Sequence, residues 1–122
     1  MKILIADDSA FMRTILKDII GKSSWKSAEI FEAEDGEDAI NKCNLLKPDL
    51  MLLDNVMPKK TGMEVLKQIG TSAKNVIIIS SIGQESTIEE EKSLGAKSYI
   101  LKPFDPQFVV DTLNKFFIDG KG

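Results

Sequence analysis

Apolar positions along the chain fall into two alternating patterns. Short continuous runs recur at Ile3 to Ala6, Leu50 to Leu53 and Val76 to Ile79, each followed at once by a polar residue. Such runs, bounded by polar residues, read as strands covered on both faces. Val76 to Ile79 is β-branched throughout, which suits a pleated backbone. Two weaker runs, Ala28 to Ala33 (interrupted by Glu29 and Glu32) and Ser98 to Leu101, bring the number of predicted strands to five.

Between the strands the spacing becomes helical. Ser9 is placed to cap a helix with an apolar stripe of Phe11, Met12, Ile15, Leu16, Ile19 and Ile20, and Gly21 suits its end. Asp35-Gly36 opens a helix carrying Ala39, Ile40, Cys43 and Leu46, and Pro48 follows it. Thr61-Gly62 precedes a short helix with Val65, Leu66 and Ile69. Thr87 to Leu94 reads as a helix with few apolar positions, which predicts weak packing. Phe108 to Phe117 reads as the last helix, with Val109, Val110, Leu113, Phe116 and Phe117 on its apolar side. Strand and helix thus alternate five times. That alternation predicts an α/β fold, a doubly wound parallel sheet whose ligand crevice lies at the carboxyl ends of the strands.

Composition narrows the function. The 122 residues are 43% apolar and 29% charged, enough for one domain with a sizeable core. Lys and Arg total 16 against 19 Asp and Glu, a net charge of −3, which argues against nucleic acid as a direct partner. Lacking histidine, the chain has no imidazole for acid–base catalysis or for a zinc site. The single Cys43 excludes an internal disulfide and suits a reducing cytoplasm. The first apolar stretch meets Asp7 and Asp8 too soon for a signal peptide, and the longest apolar runs are far too short to span a membrane. The tail Asp119-Gly120-Lys121-Gly122 reads as a fraying end.

The candidate chemistry lies where the strong strands stop. The first ends at Asp7-Asp8, the third at Asp54, the fourth at Ser80 and the fifth at Lys102. Singly, each has an ordinary explanation as a helix cap, turn residue or solvated strand end. Together they gather three carboxylates, a hydroxyl and an ammonium at one edge of one sheet. Crowded carboxylates need a cation, and all-oxygen ligands without histidine select a hard one, Mg²⁺ where phosphate is present. Asp7, Asp8 and Asp54 are the candidate ligands, with the backbone carbonyl of Val56 as a further one. Beside such an ion the Asp54 carboxylate can act as a nucleophile toward a phosphoryl group, while Lys102 and Ser80 contact its oxygens.

At this point the sequence resembles the CheY-like receiver domains of two-component response regulators. The resemblance covers essentially the whole chain. It is carried by Ile5-Ala6-Asp7-Asp8-Ser9, by Leu52-Leu53-Asp54-Asn55-Val56-Met57-Pro58 with Gly62 beyond, by Ile79-Ser80-Ser81, and by Leu101-Lys102-Pro103-Phe104. It implies a flavodoxin-like (βα)5 fold with strand order 2-1-3-4-5, an order for which CheY is itself a standing example. It implies one receiver domain over residues 1–122 with no output domain. Asp54 would be the phosphoacceptor, Asp7 and Asp8 the acidic pair for Mg²⁺, and Val56 a ligand through its carbonyl. Lys102 would contact the phosphoryl group, with Ser80 as the switch hydroxyl and Tyr99 as the switch aromatic. The Lys102-Pro103 bond is often cis in the family.

The implied function is signalling rather than enzymatic turnover. A histidine kinase would donate the phosphoryl group, and a protein would bind the face of the fourth helix, fifth strand and fifth helix. A phosphatase is a further expected partner. Asp7-Asp8-Ser9-Ala10-Phe11-Met12-Arg13 and Gly83-Gln84 are most similar to chemotaxis members, which favours the flagellar motor switch as target over a phosphorelay role. Asn55 and Thr61 depart from the family pattern, the first standing where an apolar residue is usual. Val56 and Ile82, at positions that tune dephosphorylation, offer no group to orient water, so slow loss of phosphate is expected. A Mg²⁺-dependent phosphatase would want a second acid at position 56, which is Val56. A flavodoxin-like cofactor binder would want a phosphate-cradling loop where Asp7-Asp8 stands. A receiver used only for protein contacts is opposed by the intact Asp54 and Lys102.

Overall fold

The apolar runs become a five-stranded parallel sheet of β1 (Lys2–Ala6), β2 (Glu29–Ala33), β3 (Leu50–Leu53), β4 (Val76–Ser80) and β5 (Ala96–Leu101), in the order β2-β1-β3-β4-β5. The structure is a computed structural model described over residues 1–117; the tail from Asp119 to Gly122 lies outside these. Five helices connect the strands: α1 (Ala10–Ile20), α2 (Gly36–Leu46), α3 (Gly62–Ile69), α4 (Glu85–Ser93) and α5 (Pro106–Lys115). The flavodoxin-like architecture read from the sequence is the one observed.

Because side chains alternate across a strand, each strand feeds two cores. Leu4, Met51, Leu53 and Ile78 pack on one face with Ala39 and Cys43 of α2 and Val65, Leu66 and Ile69 of α3. Ile3, Ile5, Leu50, Leu52 and Ile77 pack on the other with Leu16, Ile19 and Ile20 of α1 and Val109 and Leu113 of α5. Burial on both faces is why the strands read as continuous apolar runs.

Caps set the helix starts. Ser9 accepts from the Met12 N–H, Asp35 from Asp38 and Asp105 from Gln107, with Pro106 in the first turn of α5. Thr61 and Glu64 form a reciprocal capping box at α3, so threonine at this departure from the family pattern serves as the cap.

Three expectations shift. Phe11 is 75% exposed, so the buried stripe of α1 does not include it. It stands in the first turn of α1, whose buried residues are Leu16, Ile19 and Ile20 further along. The last helix starts at Pro106 and ends at Lys115, earlier than the apolar pattern suggests, because Asp105 and Pro106 fix its start. Phe116 and Phe117 therefore lie beyond it, yet still pack against the core. Helix α4 begins at Glu85 rather than Thr87, and Glu91 is its buried residue.

Candidate functional site

The register of the sheet creates the site. Ala6 of β1 lies opposite Leu53 of β3, so the next residues, Asp7 and Asp54, leave the sheet side by side. The Asp54 N–H donates to the Ala6 carbonyl (3.0 Å) and the Asp7 N–H to the Ala33 carbonyl (3.1 Å), extending the ladder into the loops. On the other flank Ser80 pairs with Leu101, and the Lys102 N–H donates to the Ser80 carbonyl (2.8 Å). Strand order reverses between β1 and β3, so the loops diverge there and leave the crevice open.

Lys102 reaches across that crevice. Its ammonium contacts Asp7 Oδ2 at 2.9 Å and Asp54 Oδ2 at 3.3 Å, and its peptide bond to Pro103 is cis. Asp7 and Asp54 are buried, while Asp8 faces solvent. One carboxylate oxygen from each of Asp7, Asp8 and Asp54 can be chosen so that all lie within 4.8 Å of one another. Three carboxylates against one ammonium leave the crevice with excess negative charge. The donor set is all oxygen and open to solvent through Asp8, which fits a hard divalent cation.

Ionisation follows the crowding. Burial pushes the Asp54 carboxyl above the usual carboxylate range; Lys102 pulls it back, Asp7 raises it further, and the net direction is up. For Lys102, burial alone would weaken the ammonium, but bonds and charges from Asp7 and Asp54 outweigh it and raise its pKa. The lysine therefore remains cationic at neutral pH.

The remaining candidates lie around this centre. The Val56 N–H donates to Asp54 Oδ1 (3.3 Å), and its side chain is 59% exposed. Ser80 is fully buried, and its Oγ accepts from the Ile82 N–H (3.2 Å). The Tyr99 hydroxyl donates to the Ile82 carbonyl (2.7 Å) and accepts from Asn55 Nδ2 (2.7 Å). The unusual Asn55 thus bonds locally. Close packing requires Gly62 opposite it: a Cβ there would sit 2.5 Å from Asn55 Oδ1 and 2.9 Å from the Asp54 carbonyl oxygen.

Two residues that sequence reasoning missed also bear on the site. Arg13 donates to the Asp7 carbonyl (2.6 Å) and pairs through Nε with Glu32 (2.8 Å), bracing the acidic loop from α1. Its spacing from Asp7, one helical turn beyond the Ser9 cap, was the available signal. Glu91 of α4 is fully buried with neither carboxyl oxygen hydrogen-bonded. Within the run Glu89-Glu90-Glu91 nothing marks it as different from a solvated face.

Comparison with known proteins places this geometry. Residues 3–114 match the family model described as the response regulator receiver domain. The chain is 42% identical over 116 residues to "Chemotaxis protein CheY" of Thermotoga maritima, covering 93% of this chain and 95% of that protein. It is 35% identical over 117 residues to "Sporulation initiation phosphotransferase F" of Bacillus subtilis, covering 94% and 92% respectively. Among solved structures it resembles the response regulator domain of Thermotoga maritima CheB, with a TM-score of 0.81 and 36% identity over 95% of this chain and 92% of that one.

Proposed function

Because the chain belongs to the response regulator receiver domain family, we propose that it takes a phosphoryl group from a histidine kinase onto Asp54 and thereby switches its affinity for a partner protein. The observation that carries this reading is the shared contact of Lys102 with Asp7 and Asp54, beside an Asp8 carboxylate near enough to share an ion with both. Asp7, Asp8 and Asp54, with the Val56 carbonyl, would hold Mg²⁺. When bound, that ion offsets negative charge on the entering phosphoryl oxygens.

The chain's own residues supply the rest. The Asp54 Oδ attacks phosphorus as the bond to the donor nitrogen breaks, and an acyl phosphate forms. The Lys102 ammonium exchanges a carboxylate contact for a phosphoryl oxygen. The Ser80 hydroxyl turns to donate to another. Phosphorylated Asp54 carries more negative charge and more acceptor oxygens than the free carboxylate, so this new pull on Ser80 biases the neighbouring Tyr99 and α4. Val56 and Ile82 give an attacking water no polar side chain to lean on, which favours a long-lived adduct.

The face formed by α4, β5 and α5 carries the exposed apolar residues Leu101 and Phe108, which suits protein binding. Similarity to several proteins named chemotaxis CheY favours the flagellar motor switch as partner. A phosphorelay intermediate is the second reading, favoured by the likeness to the sporulation phosphotransferase. Neither partner class requires a transmembrane anchor, and among the described residues no helix is long and apolar enough to cross a membrane.

Incubation with acetyl phosphate and Mg²⁺, followed by intact mass, tests the chemistry. One phosphoryl group per chain, lost in Asp54→Asn and persisting well beyond seconds, is the expected result. Turnover of many substrate equivalents would point instead to a phosphatase, and absence of an adduct would overturn the reading. Capture of a motor switch protein or of a histidine phosphotransfer protein by the phosphorylated form separates the two partner classes.

A further inference from the structure

Asp7 and Asp8 are neighbours in the chain but are held differently. Asp7 is fixed at three points: its N–H donates to the Ala33 carbonyl (3.1 Å), its Oδ1 accepts from the Ser9 N–H (2.9 Å), and its Oδ2 meets the Lys102 ammonium (2.9 Å). Asp8 is exposed, and its aim depends on the peptide unit that joins it to Asp7. That unit is planar, so the direction of the Asp7 carbonyl sets the direction in which the chain enters Asp8.

Arg13 grips this carbonyl. Its Nη1 donates to the Asp7 oxygen at 2.6 Å, while its Nε donates to Glu32 Oε1 at 2.8 Å. One guanidinium thus ties the loop after β1 to a side chain of β2, using two donors in a rigid planar geometry that a lysine lacks. The Arg13 side chain is only 13% exposed, little for a charged group. Glu32 is held in turn. Lys17 of α1 bonds its second carboxylate oxygen at 3.0 Å, and Lys42 of α2 donates to its backbone carbonyl. The pairing also has an electrostatic effect: an unpaired cation bonded to the acidic loop would oppose a metal ion, and the Glu32 carboxylate offsets it.

We propose that Arg13 is the positioning residue for Asp8, fixing the Asp7–Asp8 peptide unit so that both carboxylates turn toward one divalent cation, while Glu32 aims the guanidinium and cancels its charge. The consequence for Mg²⁺ rests on the receiver reading above, whereas the ordering of Asp8 is measurable without an ion.

The experiment uses the unphosphorylated full chain. Calorimetric titration with Mg²⁺ reads ion affinity, and NMR relaxation of the Asp8 amide in ion-free buffer reads its order. Arg13→Lys keeps the charge and loses the fork. It is expected to weaken Mg²⁺ binding about tenfold and to lower the Asp8 order parameter from about 0.85 toward about 0.6. Arg13→Met should weaken binding at least as much, although loss of a nearby positive charge by itself would tighten it. Lys17→Met removes a charge from the same network without touching the Asp7 carbonyl, and should leave affinity within about twofold. If Arg13→Met does not fold, Arg13→Lys carries the test. Unchanged affinity and unchanged Asp8 order in Arg13→Lys, or tighter binding by Arg13→Met, would overturn the positioning role. Absence of Mg²⁺ binding by the wild type would count against the receiver reading instead. Asp8 order alone would then decide for Arg13, its loss in Arg13→Lys supporting the role and its retention overturning it.

Discussion

The two ends of the sheet are built on opposite terms. At the amino end the buried polar groups are matched. Trp25 is fully buried, donates its indole N–H to the Leu113 carbonyl at 2.8 Å, and meets Phe117 edge-on at 5.5 Å. Ser23 donates to the Ile20 carbonyl, and Asp49 accepts from the Lys2 N–H. At the carboxyl end three carboxylates crowd one lysine, and the buried carboxyl of Glu91 on α4 has no hydrogen bond. One end secures the fold. The other holds charge in a state that a cation or phosphoryl group can relieve, the arrangement expected where function is bought with stability.

The contrast can be broken most forcefully at the amino end. Trp25→Ala should cost about 3–5 kcal/mol in urea unfolding followed by circular dichroism, because it leaves a cavity and an unpaired carbonyl. A cost below about 1 kcal/mol would mean that this end is not the anchor. At the carboxyl end Lys102→Met should cost about 2 kcal/mol, since it leaves buried carboxylates without their counter-charge. Millimolar-range Mg²⁺ should recover most of that loss but do little for Trp25→Ala.

Asp54→Asn should move the other way, stabilising the metal-free protein by about 1 kcal/mol at neutral pH. The sign follows from the direction of the shift. A carboxyl whose folded pKa is raised contributes fully below its unfolded pKa and loses that contribution as pH climbs through the folded value. The advantage of Asp54→Asn should therefore grow as pH rises through the acid range and then level off, as read from unfolding midpoints. The smallest effect belongs to α4. Gln84 makes no side-chain capping bond there, so Gln84→Asp supplies the missing cap and should add about 0.5 kcal/mol of stability, seen as slower exchange in the first turn of the helix.

Much of this division is legible in the sequence. Double coverage makes β1, β3 and β4 continuous apolar runs, and a polar residue after each marks the end where chemistry gathers. Capping residues at Ser9, Asp35 and Thr61 carry their own local signal because they bond within one turn. What escapes depends on tertiary packing. Trp25 stands alone in a Ser- and Lys-rich loop with no period to reveal that α5 covers it. Phe11 fits the helical period of α1 but lies in its exposed first turn, outside the buried set of Leu16, Ile19 and Ile20. Glu91 lies in an acidic run, and only its burial, where Glu89 and Glu90 are exposed, distinguishes it from its neighbours.

The placement of Trp25 has an optical consequence. As the chain's one indole, it is sealed into the amino end, away from Asp54 and Lys102. Its emission should follow global unfolding while staying nearly constant through ion loading or acylation at the opposite end. A fluorimeter trace of this protein is therefore a clean denaturation record, and a quiet one when the crevice fills.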